Sequence, residues 1–135
     1  PIYDGVIDFL EKLKKASIPT AIVTSSDNVK MESLYKQYPF FKGYFNAIIT
    51  GSDVTKSKPD PQGYLMAAER ININPLDCYV FEDSIQGLEA GIASGATVIG
   101  LTTSNPSEKL KNKAHKLIDN FVDFSIEEML STIKS

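Results

Sequence analysis

The sequence predicts an α/β fold in which helices cover both faces of a parallel β-sheet, forming a three-layer α/β/α sandwich. Short apolar runs alternate with segments of helical periodicity along the chain, a pattern typical of βαβ units. Proline and glycine residues mark the boundaries between these segments. Since 135 residues is a common size for one domain, we expect residues 1–135 to form a single domain.

Five strands and five helices are predicted, each from a local pattern. The strands fall at about residues 20–24, 47–50, 78–81, 96–101 and 116–118, and the helices at about residues 4–17, 27–38, 60–71, 84–95 and 125–133. The carboxyl ends of parallel strands meet at one edge of a sheet, where such folds bind ligands.

The first helix is predicted from Val6, Phe9, Leu10 and Leu13, which share one helical face, and Pro19 ends it. The β-branched apolar run after Pro19 is typical of a strand covered on both faces. Either Ser26 or Asp27 can cap the second helix. The apolar residues 47–50 indicate the second strand, which Gly51 ends.

Asp60 and Pro61 begin the third helix, because proline suits the first helical turn. Its periodicity predicts that Leu65, Ala68 and Ile71 face inward. Pro75 breaks the chain before the third strand.

The fourth helix begins at Ser84 and is rich in small residues, which permit close packing on a sheet. The apolar runs 96–101 and 116–118 predict the last two strands. Ser125 and Glu128 form a capping box for a terminal helix. That helix is expected to carry Met129, Leu130 and Ile133.

Composition excludes several classes of function. The net charge is −3 with both signs intermixed, so neither nucleic acid nor a membrane surface is an expected partner. Lysines at roughly helical spacing between Lys109 and Lys116 are interpreted as a solvated face. Cys78 is the single cysteine and is expected to be a buried, inert thiol. Together with an amino terminus unlike a signal peptide, this predicts a cytoplasmic protein.

Two segments are candidates for phosphate binding. Thr24, Ser25 and Ser26 lie where a strand gives way to a helix, so hydroxyl and amide groups can face an anion there. These residues are equally compatible with simple helix capping. Lys58 precedes Pro59, which favours an extended backbone at the lysine, although a solvated loop lysine would look the same.

Glu82 and Asp83 are candidates for metal binding because they directly follow the third strand. Adjacent carboxylates repel each other, and a divalent cation offsets the repulsion. Hard oxygen ligands of this kind favour Mg²⁺. The alternative is that Asp83 or Ser84 caps the fourth helix while Glu82 is exposed.

Taken in order, the three segments resemble the haloacid dehalogenase superfamily, and most closely its β-phosphoglucomutase-like phosphatase branch. The resemblance rests on Thr24 to Ser26, on residues 58–61 (Lys-Pro-Asp-Pro), and on residues 81–84 (Phe-Glu-Asp-Ser) with Gly87. It covers nearly the whole chain. The helix around Phe9 is similar to the segment that follows the helical cap domain in that branch.

The resemblance implies a Rossmann-like core that transfers phosphoryl groups through an aspartyl-phosphate with Mg²⁺. By motif position, Thr24 would bind the transferring phosphate with help from Ser25 and Ser26. Lys58 would neutralise charge on the phosphate, and Glu82 with Asp83 would anchor Mg²⁺. The implied substrate is a small phosphorylated metabolite, with sugar phosphates the foremost class and a phosphosugar mutase as the alternative activity.

One family motif is missing from the sequence. No aspartate follows an apolar strand upstream of Thr24. The resemblance implies that the aspartate pair with the nucleophile and the general acid/base, the first strand that carries it and the cap domain would all precede Pro1. We therefore interpret the chain as the carboxyl-terminal part of an enzyme core, inactive alone, that needs an amino-terminal segment or self-association. A non-enzymatic phosphate-binding or dimerising module is the alternative.

Overall fold

A computed structural model describes residues 5–134. Helices and strands alternate as the sequence predicts, except that the short helix between the last two strands was not predicted. The elements are α1 (Val6–Lys15), β1 (Ala21–Val23), α2 (Asn28–Gln37), β2 (Ala47–Ile49), α3 (Gln62–Arg70), β3 (Tyr79–Glu82), α4 (Ile85–Ser94), β4 (Thr97–Leu101), α5 (Ser107–Leu110), β5 (Lys116–Ile118) and α6 (Ile126–Leu130). Two short 3-10 helices, Phe41–Tyr44 and Pro75–Asp77, precede β2 and β3.

All strand pairs in the described part of the chain are parallel, which confirms the predicted fold class. The strands form two sheets, one of β1 and β2 and one ordered β3-β4-β5. Ile22 pairs with Ile48 in the first sheet, and Val80 pairs with Val98 in the second. The strands that lead into the candidate site residues, β1 and β3, are therefore edge strands of their sheets.

The larger hydrophobic core lies between α1, β4 and the carboxyl-terminal segment. Phe9 of α1 is 2% exposed, and its ring stacks on Phe121 at a centroid distance of 5.5 Å. The ring of Phe81 in β3 contacts Phe9 at 5.8 Å. A second cluster joins Leu88 of α4 to β3 and β4. The second sheet is thus covered by α1 and α4.

Helix α3 connects the two sheets, which together with their helices we call the two halves of the molecule. It contacts β1 and β2 on one side and α4 on the other. Gly63 lies so close to β1 that a methyl group there would come within 2.8 Å of the Val23 side chain. The helix positions Lys58, in the loop before it, between the ends of β1 and β3.

The prediction for the inward face of α3 is partly wrong. Leu65 is 42% exposed, whereas Ala67 and Ala68 are buried. The helix begins at Gln62, and its most buried stripe runs through Gly63, Ala67 and Ala68. This stripe consists of small residues because the helix lies close to the strands.

Two expectations for the carboxyl-terminal part also need correction. Ile133 lies beyond the end of α6 and is 77% exposed. Lys109 and Lys111 are exposed, as expected for a solvated face, but Lys113 and Lys116 are half-buried, and Lys116 belongs to β5. Ser125 does cap α6 by accepting a hydrogen bond from the Glu128 amide at 3.0 Å.

Cys78 lies just before β3 and is only half-buried, so the expectation of a buried thiol is wrong. Its thiol donates to the Asn74 carbonyl at 3.5 Å. Burial, and secondly the charge of Asp77, raises the pKa of Cys78, which disfavours the reactive thiolate. Within residues 5–134, no helix has the length and apolar character needed to cross a membrane.

Candidate active site

The candidate active site lies at the carboxyl ends of β1 and β3, and Lys58 joins the two. Its ammonium group donates to the Val23 carbonyl at 3.2 Å and to Glu82 Oε2 at 2.9 Å. The side chains of Lys58 and Glu82 are 17% and 14% exposed. Lys58 is therefore a partly buried member of the site rather than a solvated loop lysine.

The turn after β1 is closed by local hydrogen bonds. Thr24 donates its amide to the Ile49 carbonyl at 2.9 Å, which extends the β1–β2 ladder by one bond. The Thr24 hydroxyl accepts a hydrogen bond from the Ser26 amide at 3.1 Å. The cap of α2 is Asp27, whose carboxylate accepts from the Lys30 amide. Capping thus falls to Asp27, and the Thr24 and Ser25 side chains are not required for it.

Gly51 is needed for this turn because its backbone passes very close to Ser25. A methyl group on Gly51 would lie 2.5 Å from the Ser25 carbonyl oxygen, a separation that side chains do not tolerate. The Gly51 amide also donates to the Ser26 carbonyl at 2.9 Å. The end of β2 therefore supports the shape of the turn after β1.

A cavity of about 220 Å³ opens beside this turn. Thr24, Ser25, Ser57 and Lys58 are among the residues that line it, whereas Ser26, Glu82 and Asp83 do not. A larger depression of about 480 Å³ is lined by α1 and residues 40–44 and shares none of these residues. Hydroxyl groups and an ammonium group make the smaller cavity suitable for a phosphate.

Glu82 is held by five hydrogen bonds. Oε1 accepts from the amides of Asp83 and Ser84 and from the Ser84 hydroxyl, at 3.0, 3.2 and 3.3 Å. Oε2 accepts from Lys58 at 2.9 Å and from the Tyr64 hydroxyl at 2.8 Å. Burial, and secondly the charge of Glu82, raises the pKa of Tyr64. Tyr64 thus stays protonated and serves as a donor.

Gly87 provides the space in which the Glu82 side chain lies. A methyl group at Gly87 would come within 2.2 Å of the Glu82 carboxyl carbon. Ser84 caps α4 by accepting a hydrogen bond from the Gly87 amide at 3.0 Å. The capping function expected for Asp83 or Ser84 is thus performed by Ser84, while Glu82 is packed rather than exposed.

Asp83 is contacted by the loop that follows β4. Ser104 donates its hydroxyl to Asp83 Oδ2 at 2.6 Å, and the Thr103 hydroxyl lies 3.4 Å from the same oxygen. The Asn105 side-chain amide donates to the Asp83 carbonyl at 3.2 Å. The two carboxylates predicted to bind metal thus differ in their hydrogen-bond partners. Glu82 bonds to Lys58, to Tyr64 of α3 and to Ser84 at the start of α4, while the Asp83 carboxylate bonds to the β4–α5 loop.

The donor set fits Mg²⁺ only in part. Within residues 5–134, no group of three or more His, Cys, Asp or Glu side chains could hold a metal ion. Glu82 would have to exchange a hydrogen bond for a metal contact, because a carboxylate has about four lone-pair sites. Asp83 is a suitable hard ligand, and Mg²⁺ normally keeps several waters. The residues present therefore fit a hydrated Mg²⁺ at Asp83.

Sequence reasoning did not identify Tyr64, Ser104 or Asn105 as members of the site. Tyr64 carries no sequence signal, because nothing in its spacing from Lys58 indicates a contact with Glu82. Ser104 and Asn105 lie in the loop that begins at the end of β4, so the rule that ligands bind at the carboxyl ends of strands could have found them.

A family model and individual known proteins are similar to this chain. The family model described as haloacid dehalogenase-like hydrolase matches residues 1–95. The bifunctional riboflavin kinase/FMN phosphatase of Arabidopsis thaliana is 32% identical over 124 residues, which are 92% of this chain and 33% of that protein.

Two solved structures extend the comparison. A haloacid dehalogenase hydrolase of family IA, variant 3, from Entamoeba histolytica is 34% identical with a TM-score of 0.88, covering 98% of this chain and 61% of that one. A putative β-phosphoglucomutase from Thermotoga maritima is 31% identical with a TM-score of 0.78, covering 85% of this chain and 54% of that one. The chain thus spans between a third and about three fifths of the length of these proteins.

Proposed function

The chain belongs to the haloacid dehalogenase-like hydrolases, and from this premise we propose that it forms the phosphate-binding part of a phosphatase for small phosphorylated metabolites. The observation that carries the proposal is the position of Lys58, which bonds to the ends of both β1 and β3. It lies beside a cavity lined by hydroxyl groups. Similarity to an FMN phosphatase and to a putative β-phosphoglucomutase supports a phosphorylated metabolite, with sugar phosphates as the foremost class.

In this proposal the residues of the chain bind and neutralise the phosphoryl group. Thr24 and Ser25 offer hydroxyl groups at the cavity wall, assisted by the nearby Ser26. Lys58 stabilises negative charge on the phosphoryl oxygens. Glu82 and the Val23 carbonyl accept hydrogen bonds from its ammonium group, which also lies 5.1 Å from the centre of the Tyr64 ring. Such fixed electrostatic groups are often the largest contribution to phosphoryl transfer.

The nucleophile in this proposal is an aspartate that the present sequence does not contain. Its carboxylate attacks phosphorus as the bond to the substrate oxygen breaks, and the leaving oxygen takes a proton from a general acid that the present sequence also does not contain. Water then hydrolyses the aspartyl-phosphate and releases phosphate. Asp83, with Glu82 after exchange of a hydrogen bond, would hold Mg²⁺, which would offset charge on the phosphoryl oxygens.

The aspartate would arrive on a strand inserted between β1 and β3. Within residues 5–134, each of these strands pairs on one side only, β1 with β2 and β3 with β4. An inserted parallel strand would satisfy the second edge of both. We propose that an amino-terminal segment supplies it, and that self-association is the other possible source. The single cysteine fits the reducing cytoplasm in which we place this protein.

The main test compares the 135-residue chain with a longer protein that also carries the proposed amino-terminal segment, called the native-length protein below. Both are assayed on sugar phosphates and on FMN with Mg²⁺. The chain alone should be inactive, because electrostatic stabilisation does not replace a nucleophile, and the native-length protein should release phosphate. Hydrolysis by the purified chain alone would contradict the proposed division of the site.

Lys58→Ala in the active protein tests the role of the ammonium group. Turnover should fall by about 10²–10³-fold, the usual effect of removing one well-placed donor. The matched control is Lys36→Ala, because Lys36 is an exposed lysine on α2. Equal turnover in both variants would place Lys58 outside the chemistry.

Magnesium binding provides a test that does not depend on turnover. The 135-residue chain should bind Mg²⁺ weakly by calorimetry, because it offers few carboxylate ligands. Binding with micromolar affinity that survives the combined Glu82→Ala and Asp83→Ala change would rule out the assigned metal position.

A phosphosugar mutase is the second candidate, favoured by the similarity to a putative β-phosphoglucomutase. Phosphorus NMR of the reaction distinguishes the two activities. A phosphatase releases inorganic phosphate, whereas a mutase moves the phosphoryl group to another hydroxyl of the sugar.

A further inference from the structure

The loop after β4 contains a polar sequence, Thr102 to Asn105, that reaches the candidate metal ligand. Ser104 donates to Asp83 Oδ2 at 2.6 Å, a short hydrogen bond of the charge-assisted kind. Asn105 donates to the Asp83 backbone carbonyl at 3.2 Å. One residue thus holds the side chain of Asp83 and the next holds its backbone.

The base of this loop is itself anchored. The Thr102 hydroxyl lies 2.6 Å from Asp119 Oδ1, and the Thr102 amide donates to the Ile118 carbonyl at 3.1 Å. Both partners lie at the end of β5 or just after it. The loop is therefore tied to the end of β5 at Thr102 and to Asp83 at Ser104 and Asn105.

The Ser104 hydroxyl has no helix-capping role that would explain it. The N-cap of α5 is Pro106, and no side chain caps that helix. The nearby Ser107 makes no side-chain hydrogen bond within the described residues, which shows that a serine in this region need not find a partner. The contact between Ser104 and Asp83 is therefore not a by-product of capping α5.

We propose that Ser104 is a positioning residue that orients the Asp83 carboxylate toward a divalent cation, with Thr102 and Asn105 fixing the loop. This inference rests on the proposed function, in which Asp83 holds Mg²⁺. A carboxylate already held in one rotamer loses less conformational freedom when it binds a metal. Outer hydrogen-bond partners of this kind typically contribute about 10–100-fold in metal affinity.

The test measures Mn²⁺ binding by electron paramagnetic resonance in the native-length protein without substrate. Four variants are compared with the unmodified protein: Ser104→Ala, Ser104→Thr, Asp83→Asn and, as the matched control, Ser107→Ala. Ser104→Ala should weaken Mn²⁺ binding about 10-fold, and Ser104→Thr should restore most of it because the hydroxyl is kept. Ser107→Ala should bind as the unmodified protein does.

Kinetics provide a second measurement. For Ser104→Ala, the Mg²⁺ concentration that gives half-maximal activity should rise about 10-fold, as the binding constant does. The turnover number at saturating Mg²⁺ should stay within about twofold of the unmodified protein, since a positioned ligand mainly affects occupancy. Thermal unfolding of each variant shows whether it is folded, and Ser104→Thr keeps the comparison decisive if the alanine variant unfolds.

The outcomes separate this inference from the proposed function. If Asp83→Asn weakens Mn²⁺ binding while Ser104→Ala does not, the positioning role is wrong and the metal assignment stands. If Asp83→Asn leaves Mn²⁺ binding unchanged, the metal assignment is wrong, and the role of Ser104 falls with it.

Discussion

The middle strand of the three-stranded sheet is more completely buried than strand β1 of the two-stranded sheet. All five residues of β4 are buried, whereas all three residues of β1 are only half-buried. β4 lies between β3 and β5, but β1 pairs only with β2 among the described residues. Burial at β4 should therefore contribute more to stability than burial at β1, which leads into the turn proposed to bind phosphate.

The largest difference between the two halves should appear on truncation of strand residues. Ile99→Ala in β4 removes a side chain that is 0% exposed and should lower the free energy of unfolding by about 2–5 kcal/mol. Ile22→Ala in β1 should cost less than half as much, because Ile22 is half-buried. Urea unfolding of both variants measures the ratio, and equal losses would contradict the comparison.

A smaller effect is expected from Gly87→Ala in the second half. The added methyl group would collide with the Glu82 carboxyl group, which five hydrogen bonds hold in place, so overpacking should cost about 1–3 kcal/mol. The control lies in the 3-10 helix before β2, where a methyl group on Gly43 meets no atom within 4 Å. Thermal unfolding should leave Gly43→Ala nearly unchanged. A stable Gly87→Ala variant would mean that Glu82 can move at little cost.

The fold was largely predictable from local patterns, but strand boundaries and helix faces were less so. Residues 20–24 were predicted as a strand covered on both faces, and β1 spans Ala21–Val23 with half-buried residues. The apolar pattern does not reveal which edge of a strand has a neighbour. The face of α3 was misjudged at Leu65 because close packing on β1 selects small residues for the contact.

The site was predictable at the level of strand ends and less so at the level of side-chain partners. Thr24 and Lys58 line one cavity, and Lys58 bonds to Glu82. Their assigned roles in phosphate and metal binding stay predictions. The bonds from Tyr64 to Glu82 and from Ser104 to Asp83 join residues far apart in sequence, and no local spacing encodes such pairs.

Removing a helix cap should change the free energy of unfolding less than removing a core side chain, and the two halves should differ less in this effect. Ser84 accepts from the Gly87 amide and also contacts Glu82, whereas Asp27 accepts from the Lys30 amide at an exposed helix start. Replacing a capping residue by alanine costs about 0.5–2 kcal/mol. We expect Ser84→Ala near the upper end and Asp27→Ala near the lower end. The reverse order in urea unfolding would show that the Glu82 contact adds no stability.

The smallest expected effect is a pH dependence of the unfolding free energy, which arises from His115 beside the second sheet. His115 Nδ1 accepts a hydrogen bond from the Val98 amide at 2.8 Å, and this requires the neutral ring. Burial, and secondly the charge of Lys134, lowers the pKa of His115 below its usual 6.5. The unfolded chain therefore binds the proton first. The stability that His115 contributes is present above pH 6.5 and is lost as the pH falls toward the lower folded-state pKa.

Unfolding free energies measured across this pH range check the prediction. His115→Asn removes the titrating group, so its stability should vary less with pH than that of the unmodified chain. An identical pH profile in the two proteins would assign the acid sensitivity to other groups.

The rate at which a thiol reagent labels Cys78 measures the opening of the chain near β3. Because the sequence has one cysteine, a thiol reagent such as a chromogenic disulfide modifies a single position, at the start of β3. The thiol is half-buried and bonded to Asn74, and its raised pKa keeps it mostly protonated, so labelling should be slow while β3 stays in place. The labelling rate then reports how often the edge of the second sheet opens, without any substitution. An added strand that pairs with β3 should slow this reaction before any enzymatic assay is possible.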